Sequence, residues 1–272
     1  MKSADLHIHS EYSDSTFSVE EIFKIAKSHN LDCLSLTDHD TVKGIKLSLA
    51  LAKEFDIEFI PGVEITTEFE GKEVHILGYF VDVENKEFLE FLKQIQEQRK
   101  ERVYEMSKKL AALGIEISPQ EVFNKAKESC VTRLHVAEVL IEKGVVKDLK
   151  EAFKNYIGDK APCYVARFKF SPFKAIQILR RMKAIPVLAH PFRSNADQIL
   201  DDLVQAGLLG IEVFYPDQRH LTDYYIKIAK KYSLLITGGS DSHGNAKPKD
   251  YLGFIKLPYE YVRKLKEKRD SL

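Results

Sequence analysis

Histidines and carboxylates recur within predicted strands, or just after them, along most of the 272-residue chain. His7 and His9 form a His-x-His pair in DLHIHS. Because successive residues of a strand face opposite sides, the two imidazoles of such a pair point the same way and can bind one cation. Alone the pair is weak evidence, since two polar residues at a strand edge would give the same pattern.

Further candidate ligands follow in chain order. Asp14 lies in a loop, where an aspartate is normally a turn residue or a helix cap. Glu64 interrupts the apolar run PGVEIT, and a carboxylate in such a run is rare unless it is paired or bound to a metal. The other candidates lie in TDHD, EVHILGY, LAHP and GGSDSH: His39, His75, His190, Asp241 and His243.

Together these six histidines and three carboxylates predict a metal centre. A mixed set of imidazoles and carboxylates suits Zn²⁺, Mn²⁺ or Fe²⁺. Nine ligands exceed what one ion needs, so we expect two or three divalent ions, with Glu64 bridging a pair. The pattern therefore indicates a metal-dependent hydrolase.

The elements that must position these residues alternate between short apolar runs and helical patterns. Ser18 and Glu21 are typical of a capping box before a helix that runs to about His29. The alternation predicts parallel strands with helices outside, in a single α/β barrel of about seven strands whose carboxyl ends meet in one mouth. The predicted strands are residues 4–9, 32–37, 58–65, 74–81, 185–189, 208–214 and 234–238.

Only helical patterns occur between about residues 86 and 160. They predict a long helix over 85–113, a helix that starts at Ser118–Pro119, and a helix over 132–143. We therefore expect a barrel domain formed by residues 1–99 and 166–272, with a small helical insertion over residues 100–165 that caps the barrel mouth.

The composition limits the partners and the location. Lys+Arg and Asp+Glu both number 41, so no global charge attracts a membrane or extended double-stranded nucleic acid. The sequence contains no signal-peptide core and no apolar run long enough to cross a bilayer. Three cysteines without a CxxC pair argue against a disulfide framework. We expect a soluble cytoplasmic protein whose oligomeric state the sequence leaves open.

The ordered set DLHIHS, Asp14, TDHD, PGVE, EVHILGY, LAHP and SDSH resembles the polymerase and histidinol phosphatase (PHP) family over residues 5–243. The resemblance implies a distorted (β/α)7 barrel with a trinuclear metal centre that hydrolyses phosphoesters. It implies a first ion held by His7, His9, Glu64 and Asp241. It also implies a second ion held by Glu64, His75 and His190, and a third held by Asp14, His39 and His243.

The mechanism expected of such a centre is attack on phosphorus by a hydroxide that bridges two ions, while the ions neutralise the phosphate oxygens. Glu64, His190 and Asp241 are expected to act in catalysis through the bound metal. The sequence contains neither a G-x-S-x-G nor a Walker motif that would indicate another nucleophile or a phosphate loop.

The expected insertion carries Arg133 and His135 in TRLHVA. The two side chains could bind a phosphate, although an ordinary surface arginine at a helix start is an equal alternative. The resemblance favours phosphate binding, because this arrangement is similar to the PHP branch that acts on nucleoside 3′,5′-bisphosphates and on short RNA from its 5′ end. Arg193, just after His190, is a further candidate phosphate contact.

We therefore expect the substrate to be a phosphorylated small molecule, namely a nucleotide or a short oligonucleotide. A histidinol-phosphate phosphatase is the alternative enzyme, and the helical insertion weighs against it. A metal-binding accessory or proofreading module is the alternative of another class. The complete ligand set, and the lack of any polymerase region in the chain, weigh against that module.

Overall fold

The nine candidate ligands lie in strands or in the segments that follow strands. The computed structural model describes residues 2–127, 129–158, 160–165, 170–194, 196–246 and 249–272. Its strands are β1 Ser3–Ile8, β2 Cys33–Leu36, β3 Glu58–Phe59, β4 Gly62–Phe69, β5 Lys72–Tyr79, β6 Ile185–Leu188, β7 Gly210–Phe214, β8 Leu235–Gly238 and β9 Leu257–Pro258.

The helices begin where the sequence offers caps. Ser18 and Glu21 form the expected capping box at α1, and Ser118 and Glu121 form another at α4. The α-helices are α1 Val19–Ser28, α2 Ile45–Phe55, α3 Lys86–Ala112, α4 Pro119–Ala126, α5 Arg133–Glu142, α6 Leu149–Ala152, α7 Pro172–Arg181, α8 Pro191–Ser194, α9 Leu200–Gln205, α10 Thr222–Lys231 and α11 Tyr259–Asp270. Short 3₁₀ or π turns cover Phe153–Ile157, Ala196–Ile199, Pro216–Leu221 and Gly244–Ala246. Among these elements, no helix combines the length and the apolar character that a membrane crossing requires.

The strands form two sheets, ordered β3-β2-β1-β9 and β4-β5-β6-β7-β8. Pairs β1–β2, β2–β3, β6–β7 and β7–β8 are parallel. Single bridges, Ile8 with Ser242 and His39 with Glu64, connect one sheet to the other on either side. The mixed α/β class expected from the sequence is confirmed, and the strand ladders themselves form two open sheets.

The expectation of uniformly parallel strands is wrong for β4 and β5. These strands pair antiparallel over their whole length, and β5 also pairs antiparallel with β6. The cause is the two-residue connection Glu70–Gly71, in which both residues have positive φ, of 50° and 75°. So short a turn can join only antiparallel neighbours.

The strand expected over residues 58–65 is also wrong in part, because the structure divides it into β3 and β4. Pro61 lies at the break and has no N–H to donate to a ladder. The Ile60 amide donates to the Leu34 carbonyl in the first sheet, at 2.9 Å. Gly62 already pairs with Tyr79 of the second sheet. The break therefore transfers the chain from one sheet to the other just before Glu64.

The buried apolar residues fall into separate clusters. One cluster packs α3, α7, α9 and α10 against the second sheet, and another packs α1 and α2 against the first. A third cluster is formed entirely by side chains between Val103 and Cys163. The helices between these two residues thus have a core of their own.

Gly239 lets the segment after β8 run directly along β1. A Cβ built on Gly239 would lie 2.4 Å from the backbone nitrogen of His7. This close approach allows the Asp241 amide to donate to the His7 carbonyl at 2.8 Å, and the His9 amide to donate to the Ser242 carbonyl at 3.0 Å. The candidate ligands Asp241 and His243 are thereby held beside His7 and His9.

Replacing Gly239 with Ala is therefore expected to lower the free energy of unfolding by about 3 kcal/mol, because the new methyl group must displace the backbone of β1. Gly114→Ala is the matched control, since a Cβ there meets no described atom within 4 Å. The control costs only the strain of a left-handed backbone, about 1 kcal/mol. Urea unfolding gives the free energy of unfolding of both variants. Equal losses of stability would contradict the close approach of the segment after β8 to β1.

Candidate metal centre

His7 lies in β1 and His9 follows the end of that strand directly, with its side chain on the same side as the alternation requires, and both residues are fully buried. Their Nε2 atoms are 3.2 Å apart. The Oε2 atom of Glu64 lies 3.3 Å from the Nε2 of His7 and 3.1 Å from that of His9. Asp241 Oδ1 lies 3.5 and 3.2 Å from the same two nitrogens. Four potential ligands thus converge on one point, and they are the four expected to share an ion.

A second group surrounds Asp14. The Nε2 atom of His243 lies 3.3 Å from Asp14 Oδ1, and the Nε2 atom of His39 lies 3.9 Å from Asp14 Oδ2. His9 Nδ1 is 3.8 Å from Asp14 Oδ1. The loop aspartate therefore meets the two histidines expected with it, and His9 joins both groups.

A third group gathers on the other side of Glu64. The Nδ1 atom of His75 lies 2.8 Å from Glu64 Oε1, and His190 Nε2 lies 2.9 Å from the same oxygen. The Nδ1 atom of His39 lies 3.2 Å from Glu64 Oε2. His39, Glu64 and His75 have ligand atoms within 4.8 Å of one another, so His39 faces this group as well as Asp14. The structure thus gathers the nine expected residues, although His9 and His39 are shared more widely than the resemblance implied.

The geometry fits metal ions better than hydrogen bonds. Asp14 Oδ1, His39 Nδ1 and Glu64 Oε2 are buried and make no hydrogen bond within the described part of the chain, although ligand atoms of neighbouring side chains lie 3.1–3.3 Å from them. Leaving buried polar atoms unsatisfied is costly, and an unpaired buried carboxylate costs more. Divalent ions among these atoms would remove that cost. The donor set of imidazoles and carboxylates is the one that Zn²⁺, Mn²⁺ and Fe²⁺ accept.

Neighbouring histidines keep the carboxyl groups of Glu64 and Asp14 ionised. Burial opposes ionisation of Glu64, but His75, His7 and His39 outweigh it and hold the pKa of Glu64 well below its ordinary value. Burial also opposes ionisation of Asp14, but His243 and His39 outweigh it and hold the pKa of Asp14 well below its ordinary value. Both carboxylates are therefore ionised at neutral pH, as metal binding requires.

Protons and metal ions compete for the imidazoles. Burial disfavours the charged form of His9, yet Asp241 and Glu64 outweigh it and raise its pKa to about 9. Glu64 and Glu73 likewise overcome burial at His75 and raise its pKa to about 9. Because a metal takes the same lone pair as the proton, ion binding at neutral pH must release protons from these rings.

Glu212 supports the centre and is missing from the residues that the sequence predicted. It is fully buried in β7. Its Oε1 lies 2.9 Å from His7 Nδ1, and its Oε2 accepts a hydrogen bond from the His190 amide at 2.8 Å. Glu212 interrupts the apolar run LLGIEVF just as Glu64 interrupts PGVEIT, so the same signal could have identified it. A carboxylate on the far nitrogen of a metal-binding imidazole fixes the ring's tautomer and orientation.

The three candidate phosphate contacts lie in different surroundings, and Arg133 shares a pocket with candidate metal ligands. It lines a pocket of about 700 Å³ together with Asp14, His39 and His243. Arg193 lies on the other side, where its Nη1 is 3.4 Å from Asp241 Oδ2. His135 is mostly buried and does not line the pocket, since its Nδ1 accepts the Thr132 amide at 3.0 Å and caps α5.

Comparisons with known proteins identify relatives of this chain. The family model described as PHP domain matches residues 5–157. A 5′-3′ exoribonuclease of Haemophilus influenzae is 32% identical, over 89% of this chain and 90% of that protein. A 3′,5′-nucleoside bisphosphate phosphatase of Chromobacterium violaceum is 31% identical, over 89% and 88%. A phosphoribosyl 1,2-cyclic phosphate 1,2-diphosphodiesterase of Eggerthella lenta is 30% identical, over 92% and 97%.

A solved structure is also similar over nearly the whole chain. It comes from Bifidobacterium adolescentis and is described as a metal-dependent phosphoesterase. The two structures give a TM-score of 0.89 at 26% sequence identity, over 98% of this chain and 96% of the other. The similarity therefore extends to the helices between residues 100 and 165.

Chelation of divalent ions is expected to abolish hydrolysis and to lower the melting temperature, and added Mn²⁺ should restore both. An ion that binds only the folded chain stabilises it by about 2.7 kcal/mol at a hundredfold excess over its Kd. Turnover and thermal unfolding are measured with and without chelator. Full turnover in excess chelator, with no metal found by elemental analysis, would rule out the metal centre.

Replacing Glu212 with Gln is expected to weaken metal affinity about 10- to 100-fold, because a glutamine offers one acceptor where Glu212 uses two. The exposed Glu260→Gln is the matched control and should bind metal as the wild type does. Competition with a chromophoric chelator gives the affinities. Unchanged affinity in Glu212→Gln would show that the carboxylate does not position His7.

Proposed function

The chain belongs to the PHP domain family of metal-dependent phosphoesterases, and from this premise we propose that it removes phosphate from nucleoside 3′,5′-bisphosphates or shortens RNA from its 5′ end. The observation that carries the proposal is the position of Arg133 in the same pocket as Asp14, His39 and His243. A substrate with two phosphates needs one anion site at the metal ligands and a second site nearby. Arg133 supplies that second site.

Two or three ions of Mn, Fe or Zn would be held by the nine gathered side chains. When bound, such ions acidify water and neutralise the charge of the phosphate oxygens. We propose that Glu64, His190 and Asp241 serve catalysis through these ions. Asp241 is oriented for this, because its Oδ2 accepts a hydrogen bond from Tyr215 at 2.7 Å and leaves Oδ1 facing His7 and His9.

The surroundings of Arg133 prepare it to bind an anion. Its guanidinium lies 5.6 Å from the ring centre of Phe153 and 5.8 Å from that of Tyr164. Its Nη2 lies 3.5 Å from Glu73, and the side chain is 15% exposed. A guanidinium already held by its neighbours loses little freedom when it pairs with a phosphate.

His135 and Arg193 would have smaller parts in substrate binding. His135 uses Nδ1 in the cap of α5, so only its Nε2 remains to donate to a phosphate. Arg193 is 47% exposed, and its Nη1 donates to Tyr215 at 2.9 Å. Its place beside Asp241 suits a contact with a phosphate at the edge of the metal centre.

We propose that residues 1–99 and 166–272 form a distorted (β/α)7 barrel and that residues 100–165 form a helical insertion over its mouth. The two single bridges between the sheets support the barrel. The separate apolar cluster between Val103 and Cys163 supports the insertion. The pocket shared by Asp14 and Phe153 supports the position over the mouth. Residues 166–169, at the expected boundary, lie outside the described part of the chain.

We also propose a cytoplasmic location. The three cysteines, Cys33, Cys130 and Cys163, are free and buried, which is typical of proteins in a reducing compartment.

A phosphate-release screen with Mn²⁺ tests the substrate assignment. The substrates are adenosine 3′,5′-bisphosphate, a 5′-phosphorylated tetraribonucleotide and histidinol phosphate. We expect kcat/KM to be highest for one of the two nucleotide substrates. A higher value for histidinol phosphate would favour the alternative phosphatase, and no turnover of any substrate by metal-loaded protein would favour an accessory module.

Replacing Arg133 with Ala is expected to lower kcat/KM for the bisphosphate by about 2–4 kcal/mol in transition-state terms, because a desolvated charge-assisted contact is lost. Hydrolysis of a simple monophosphate ester and the metal content should barely change. Arg133→Lys should recover part of the loss, since lysine keeps the charge and lacks the bidentate fork. Equal losses on both substrates would mean that Arg133 supports the fold or the metal centre instead.

A further inference from the structure

A second pocket lies beside His75 and His190, two candidate ligands that do not line the first pocket. Its volume is about 590 Å³, and His75 and His190 lie at its inner end. Arg133 and Glu73 line both this pocket and the 700 Å³ pocket under the helices, so the two pockets meet at this pair. The metal centre therefore has space for substrate on two sides.

The two sides differ in chemistry. The larger pocket has the apolar side chains of Leu134, Leu149 and Phe153, and its three cations are balanced by three carboxylates. The smaller one is lined by four cationic side chains and one carboxylate, in a chain whose net charge is +0. We call the smaller one the cationic groove, and its charged side chains are Lys72, Arg133, Lys160, Arg193 and Glu73.

Two of these cations are lysines at the surface. Lys72 follows the Glu70–Gly71 turn, Lys160 comes from the helical region, and both are exposed. Among the residues that the structure describes, neither lysine has an ion pair. Tyr164 lines the same groove, and its ring centre lies 5.8 Å from the Arg133 guanidinium. Proteins that bind single-stranded nucleic acid combine such cations, which follow the backbone, with aromatic faces on which bases stack.

We propose that the cationic groove binds the downstream nucleotides of a single-stranded RNA, while the 5′-terminal nucleotide occupies the larger apolar pocket. A phosphodiester at the metal centre has a nucleoside on each side, and the two pockets give each side a place. Pockets of about 300–1,000 Å³ hold a drug-sized ligand, so each has room for about one nucleotide. Lysines suit this role because they contact phosphates without reading sequence.

This inference rests on the proposed function and makes it narrower. A nucleoside 3′,5′-bisphosphate has one phosphate for the metals and one for Arg133, which leaves none for Lys72 or Lys160. Both lysines should therefore matter for an oligonucleotide and not for a bisphosphate.

The test compares Lys72→Ala/Lys160→Ala with the wild type on a 5′-phosphorylated tetraribonucleotide and on adenosine 3′,5′-bisphosphate. The matched control is Lys46→Ala/Lys154→Ala, since these lysines are also exposed, one outside the helical region and one within it, and neither lines the groove. We expect the groove variant to lose about 10-fold or more in kcat/KM on the tetranucleotide, mainly through KM, and to stay within about 2-fold on the bisphosphate. The control variant should match the wild type on both.

The salt dependence gives a second readout. The slope of log KM against log salt for the tetranucleotide should fall by roughly 1.4 in the groove variant, about 0.7 for each lost phosphate contact. Equal losses on both substrates, or none on the tetranucleotide, would overturn the proposal. Wild-type protein that hydrolyses the bisphosphate and not the tetranucleotide would overturn it and leave the bisphosphatase assignment standing. Turnover of neither substrate would overturn both.

Discussion

The carboxylate of Glu64 is the constraint on which the rest of the structure depends. It is fully buried and lies close to five histidines: His7 of β1, His9 just after β1, His39 after β2, His75 of β5 and His190 after β6. An ionised carboxylate in an apolar interior is costly unless opposite charge surrounds it. The imidazoles alone supply that charge by holding protons, and bound divalent ions would supply it in place of those protons. The ionised carboxylate of Glu64 is therefore stable only because the fold brings these distant segments together around it.

Contacts of the ligand segments also extend from the two sheets to the helices between residues 86 and 142. Asp40, next to His39, receives two hydrogen bonds from the buried Arg99 of α3, from Nε at 2.7 Å and from Nη2 at 2.5 Å. Arg99 Nη1 also donates to the Val131 carbonyl at 3.3 Å, two residues before Arg133. The Cys130 amide donates to the Tyr12 carbonyl, close to Asp14. These hydrogen bonds therefore fix the segment just before Arg133 relative to the loops that carry Asp14 and His39.

Much of the site could be predicted from the sequence because its signals are local. The spacing of His7 and His9 follows from strand alternation, and the position of Glu64 in an apolar run follows from the cost of burying charge. The same reasoning would have added Glu212, whose run is equally apolar. By contrast, the antiparallel pairing of β4 with β5 depends on the conformation of Glu70 and Gly71. The role of His135 as a helix cap could not be predicted either. The residue type alone does not show whether the ring binds a phosphate or accepts a hydrogen bond from the Thr132 amide, as it does in the structure.

A crystal structure with Mn²⁺, with anomalous differences recorded to locate the ions, tests the central claim most directly. The account predicts two or three Mn²⁺ sites among the nine gathered side chains. At least one ion should lie within about 2.0–2.3 Å of a Glu64 oxygen, the range for a transition ion bound by oxygen or nitrogen. Ions bound elsewhere on the protein, or a cluster of histidines that stays free of metal in millimolar Mn²⁺, would contradict it.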